Sequence, residues 1–237
     1  MASLRHYRLC PKSRAVRILC AEAGLIVELV DDQPWTWPPE RTQLNPTGEL
    51  PVLVTDEGAV AGVYPIVEWI ADAILGEAAG TRDDTRAAHA IAGSAAERAE
   101  IRRLIDWFTR KLPQDATDWL LEEKVYARFR DGSEAGRAPD PETLRAALDN
   151  MDHHMRYLDH LAASRRWLAG DYLSAADICA AAGISTADYL GAVDWPLFPA
   201  AHAWYARMKS RPSVRRILED RVPGAPPPPA AYDDPDF

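Results

Sequence analysis

The stretch LCPKSRAVRILC, residues 9–20, places a thiol directly ahead of a proline and a helix-like run. A cysteine at a helix N-terminus has its thiolate stabilised by the helix dipole and by free backbone N–H groups. Lys12 and Arg14 add positive charge beside Cys10. Ser13 is a second candidate nucleophile, and also a plausible N-cap. Arg5, Arg8, Lys12, Arg14 and Arg17 fall within the first 17 residues with no acid among them. Read structurally they are a solvated face; read functionally, Lys12, Arg14 and Arg17 form a cationic rim around the helix start. At the opposite end, YDDPDF carries Tyr232, Asp233, Asp234, Asp236 and Phe237. The DHHMRYLDH segment offers His153, His154 and His160. No pair of them has the i, i+4 spacing that chelates one ion, so no metal or cofactor is expected.

Periodicity supplies the elements that must hold these groups. Residues 4–9 read as a strand, followed by a helix capped by Ser13, with Val16, Leu19, Cys20 and Ala23 on its apolar face. Gly24 suits its end. LIVELV, residues 25–30, is a nearly continuous apolar run and reads as a buried strand parallel to the first. A polar loop with Trp35 and Trp37 precedes LNPTGELPVLV, whose turn residues lead into a hairpin turning at Asp56-Glu57-Gly58. A helix over 65–75 follows, with Pro65 in its first turn. The order is β-α-β, then β-β-α.

From about residue 81 the pattern is helical. Ile101, Leu104, Ile105 and Phe108 stripe one helix; Trp119, Leu120, Tyr126 and Phe129 mark another; Leu144, Leu148, Met151, Met155 and Leu158 a third. Ser174-x-x-Asp177 is a capping-box start to a small-residue inner helix. The final VPGAPPPPAAYDDPDF reads as an extended arm that buries no core. The division expected is a 1–77 α/β domain, a 78–84 linker, an 85–219 all-helical domain and a 220–237 tail.

With a net charge of −9 the chain is not a general nucleic-acid binder. Three scattered cysteines, no apolar run near ~20 residues and no apolar signal core fit a reducing cytoplasm.

The β-α-β/β-β-α module, LNPTGELPVL, the helical second half and the SAAD cap together resemble the glutathione transferase superfamily, over residues 4 to about 219. That resemblance implies a thioredoxin-like α/β domain plus an all-α domain, a cis peptide before Pro51, and a structural role for Ser174 and Asp177. CPKSRAVR is similar to the omega-class motif, in which the cysteine attacks or bonds glutathione. The family holds the γ-glutamyl group with an acidic residue followed by serine; Gly62 and Val63 stand at those positions. EEKVY, Asp188-Tyr189-Leu190-Gly191, Asp194-Trp195, WYARMKSRPSVR and the tail resemble a cell-division branch of the superfamily. This implies a non-enzymatic, dimeric adaptor at the division site that binds FtsZ filaments, favours curved bundles and promotes constriction and septal wall synthesis. Cys10 and Ser13 would then be vestigial. FtsZ-contact candidates are Lys12, Arg14, Arg17, Trp35, Trp37, Lys124, Tyr126 and Arg128. The tail candidates are Tyr232, Asp233, Asp234, Asp236 and Phe237, and deletion of 226–237 is expected to leave folding and FtsZ binding nearly intact while impairing division. The alternative is an omega-like glutathione-dependent thiol transferase using Cys10.

Overall fold

Leu4, with no exposed surface, lies on the inner strand pair of a four-stranded sheet whose order is Glu28–Asp31, Ser3–His6, Val52–Thr55, Gly58–Ala61. The computed structural model describes residues 2–78, 91–130 and 137–235, with backbone alone for 73–78. The expected linker beyond residue 78, and Asp236 and Phe237, lie outside the described residues. β1 (Ser3–His6) runs parallel to β2 (Glu28–Asp31) with Leu4 opposite Leu29, and antiparallel to β3 (Val52–Thr55) with Leu4 opposite Leu53. β4 (Gly58–Ala61) completes the hairpin with β3. The Leu50-Pro51 peptide is cis.

Two local expectations are corrected. Helix α1 (Pro11–Glu22) begins at Pro11, so Cys10 is its N-cap and Ser13 lies inside the first turn. Proline has a fixed φ and no N–H, which suits the first helical position, where that donor would be unpaired anyway. The Ser13 hydroxyl instead accepts a bond from the Tyr7 N–H at 3.3 Å. β2 is an edge strand rather than a buried one: Ile26 is 82% and Leu29 48% exposed. Around it the chain alternates, with Leu25 and Val27 half-buried against the core and Ile26 and Glu28 facing out. An unbroken apolar run reads the same at an edge as in the middle of a sheet; the sheet order decides. Gly24, at φ +71°, ends α1 in the left-handed region where other residues are strained.

Beyond α2 (Pro39–Leu44) and α3 (Val63–Ala78) the second half is helical. α4 (Ala95–Asp106) opens on a Ser94/Glu97 capping box. It continues without a break through wide turns at Trp107–Lys111, Pro113–Thr117 and Glu122–Tyr126, which flank α5 (Asp118–Leu121) and α6 (Ala127–Arg130). Pro113 sits in that helical interior, where it has no N–H to donate and its ring crowds the preceding turn. Widening the turns lets the helix pass it. α7 (Pro141–Ser164) is capped by Asp140, whose side chain accepts from the Glu142 and Thr143 N–H groups.

α8 (Ala175–Tyr189) is buried along its whole length. Its small residues let neighbours approach: a side chain at Gly183 would meet Leu112 at 3.0 Å. Asp177, fully buried, accepts bonds from the Leu168 and Ser174 N–H groups, the Ser174 hydroxyl and the Trp204 indole N–H. α9 (Pro199–Lys209) and α10 (Pro212–Leu218) close the helical layer. The two halves meet where α1 packs on α8: the Thr186 hydroxyl donates to the Leu9 carbonyl at 3.1 Å, and Arg211 pairs with Glu22. Among the described residues no helix is long and apolar enough to cross a membrane.

Replacing Asp177 with alanine strands three buried N–H donors at once. Asp177→Ala should lower the unfolding free energy by about 3 kcal/mol or more in urea titration, with an unchanged m-value.

Candidate functional site

The Cys10 N–H donates to the Tyr7 carbonyl at 3.1 Å, fixing the thiol at the mouth of α1. Burial pushes the Cys10 thiol above its ordinary range; hydrogen bonding from Ser13 and the charge of Lys12 pull the other way and lose. The cations expected to activate it are engaged elsewhere. Lys12 pairs with Glu49 at 3.0 Å. Arg14 turns inward and donates to the Arg8 carbonyl at 2.7 Å, the Ser185 hydroxyl at 2.9 Å and the Tyr232 hydroxyl at 2.8 Å. Gly62 has φ +86° and its N–H donates to the Pro51 carbonyl at 3.0 Å, while Val63 is buried. Neither position supplies a carboxylate for an ammonium group or a hydroxyl for a carboxylate. A charged ligand group left without such partners binds poorly.

The cationic rim is also corrected. Arg14 has no exposed surface, and the Arg17 side chain is 10% exposed and bidentate to Asp220 at 2.6 and 3.1 Å. A guanidinium entering a protein interior needs partners: Asp220 takes both bonds from Arg17, and Tyr232 takes one from Arg14. Of the three, only Lys12 keeps appreciable exposure.

The aromatic candidates separate by environment. Trp35 stacks on Phe129 with centroids 4.7 Å apart, meets Tyr7 edge-on at 5.2 Å and lies 5.5 Å from Tyr126. Tyr126 reaches Tyr7 at 5.7 Å. Trp35, Phe129 and Tyr7 line a cavity of about 540 Å³, together with Arg8, Asp31, Asp32, Gln33, Val222 and Pro223. Trp37 is 66% exposed, with the Arg41 guanidinium 5.7 Å from its ring centre. It lies so close over Gly48 that a Cβ there would sit 2.1 Å from the indole. Lys124 donates to the Leu190 carbonyl at 2.6 Å, and Arg128 is exposed. Trp37, Arg128 and Lys12 are therefore the candidates with side chains offered outward. His154 bonds Asp115 at 3.0 Å and packs edge-on to Trp107. Among the described residues no group of three or more metal-type ligands comes together.

The tail departs most from expectation. Tyr232 is 1% exposed and meets Tyr189 edge-on at 5.3 Å. The Lys209 ammonium donates to the Ala231 and Asp234 carbonyls, each at 3.2 Å, and Arg221 pairs with Asp233 at 2.8 Å. The arm does not project, because its aromatic ring finds a pocket and its carbonyls find a buried ammonium. Sequence reasoning missed that receptor: Asp188 and Lys209 are both buried, 3.6 Å apart. The available signal was Tyr205 and Lys209, one helical turn apart on α9.

The profile of the glutathione S-transferase N-terminal domain matches residues 9–73, and that of the C-terminal domain matches residues 129–212. The chain is 40% identical to FtsZ-localized protein A of Caulobacter vibrioides, over 99% of this chain and 98% of that one. It is 31% identical to Glutathione S-transferase 2 of Saccharomyces cerevisiae, over 89% and 87% of the two chains. Among solved structures, a glutathione S-transferase from Sinorhizobium meliloti superposes with a TM-score of 0.91 at 41% identity, covering all of both chains. FzlA from C. crescentus superposes at 0.87 with 38% identity, covering 100% of this chain and 99% of that one. With both domains matched in order on this α/β-plus-helical architecture, the chain belongs to the glutathione S-transferase family.

Proposed function

We propose that this chain is a protein-binding member of the family that works at the bacterial division site, engaging FtsZ filaments as a dimer rather than conjugating glutathione. The observation that carries this reading is the 40% identity to FtsZ-localized protein A, which extends over 99% of the chain and so includes the tail. The site supports it: Gly62 and Val63 provide no clamp for a γ-glutamyl group, and burial opposes a Cys10 thiolate. In the fuller form of this proposal the protein favours curved filament bundles, promotes constriction and signals to septal wall synthesis through its tail. Trp37 and Arg128 stand out as contact residues, because they are exposed and tryptophan and arginine dominate interface energetics.

A two-armed measurement tests the reading. The protein should pellet with polymerised FtsZ and pass through glutathione resin. Retention on the resin without pelleting would overturn the proposal. Trp37→Ala should weaken pelleting by about tenfold or more with the fold unchanged by circular dichroism.

The competing reading, a thiol transferase using Cys10, draws support from the position of Cys10 at the α1 N-terminus and from the 41% identity to a named transferase structure. It requires a thiolate near neutral pH. A raised pKa means less thiolate at pH 7 than free cysteine carries. Cys10 should therefore be alkylated by iodoacetamide more slowly than free cysteine at pH 7, as followed by peptide mass mapping. Faster alkylation would favour the transferase.

A further inference from the structure

Four consecutive prolines and three aspartates make the tail a poor candidate for burial, yet it is fastened at several points. At its start, Val222 and Pro223 wall the cavity shared with Trp35 and Phe129. Gly224, at φ +81°, lies so close to Phe129 that a Cβ would fall 2.6 Å from the ring. Further on, the Pro229 carbonyl accepts from the Tyr232 N–H at 3.0 Å, closing a turn that aims the Tyr232 ring inward. That ring reaches the junction of α1, α8 and α9, where its hydroxyl takes a bond from Arg14 on α1 and its face meets Tyr189 on α8. Lys209 on α9 holds the backbone on both sides of it.

The fastening groups are buried cations, with Arg14 at 0% and Lys209 at 1% exposure. If the tail lifted, Arg14 would keep the Arg8 carbonyl and Ser185 hydroxyl but lose the Tyr232 oxygen. Its Nη2 already has no hydrogen-bond partner, with Asp220 3.9 Å away. Lys209 would lose both tail carbonyls. Arg14 keeps its other two acceptors and Lys209 keeps Asp188, but a buried charge that loses part of its hydrogen bonding draws in water or shifts the elements around it. Here those elements are α1 of the first domain and α8 of the second.

We propose that residues 221–235 form a strap, that Tyr232 is its latch, and that releasing the latch loosens the α1–α8 junction between the two domains. The strap has two states with different faces. Latched, it holds Asp233 against Arg221 and hides the tyrosine ring. Released, it offers the ring and opens the domain junction. A partner that grasps Tyr232 thus acts on the packing of the whole chain, whereas one that reads only the acids leaves it latched. Truncation at residue 225 removes the latch as well as any partner contact, so it should lower Tm instead of leaving folding intact.

Hydrogen exchange with mass spectrometry on the full chain tests this. In the wild type, amides of residues 230–234 should exchange at least about tenfold more slowly than an unstructured peptide. Tyr232→Ala should abolish that protection and also speed exchange in peptides from α1 and α8. Tyr232→Phe keeps the ring and removes only the acceptor for Arg14, so it should fold and speed exchange in α1 to a smaller extent. Unprotected tail amides in the wild type would overturn the proposal. So would variants that free the tail while α1 and α8 exchange as before.

Discussion

One side chain holds the chain's parts in register. The Arg14 guanidinium is fully buried, and its partners come from the turn after β1 (Arg8), from α8 (Ser185) and from the tail (Tyr232), with Asp220 nearby. A permanently charged group cannot neutralise itself to escape burial, so the surrounding elements must converge on it. The planar fork of donors sets the directions from which they converge. A lysine would present a single point charge there and could not meet three acceptors at those angles. The second domain, the first helix and the C-terminal segment are thus placed by one electrostatic requirement.

The same requirement draws Arg14 away from the thiol at the α1 N-terminus. A helix start next to cations is an activating environment only if the cations face the thiol and the thiol stays solvated. Arg14 faces away, Lys12 is paired with Glu49, and burial outweighs the remaining favourable influences on Cys10. Inheritance of a motif and inheritance of its electrostatics are separate matters, and only the motif is evident from residues 10–14.

What was legible in the chain was what is local. Turn residues at Asp56-Glu57-Gly58, the stop at Gly24 and the Ser174/Asp177 box each depend on neighbours within a few positions, and the β-α-β/β-β-α order follows from them. The start of α1 was misplaced by three residues because Ser13 and Pro11 both favour a helix start, and the choice rests on a bond from Tyr7. The edge position of β2 depends on sheet order, which a lone apolar run does not encode. Arg14 and Tyr232 are 218 residues apart in sequence, so no periodicity or spacing links them. The tail's composition pointed to an exposed arm because composition counts side chains and not the receptors waiting for them.

The edge strand has a consequence for copies of the chain held close together. An open strand edge carrying exposed Ile26 and Leu29 invites another such edge to pair with it. Antiparallel self-pairing of Glu28–Asp31 would set Glu28 of each copy against Asp31 of the other, with Arg8 already bound to Asp31 in its own chain. Like charges at both ends of so short a ladder oppose the pairing. Those four residues thus set charge repulsion against the apolar invitation of their own edge.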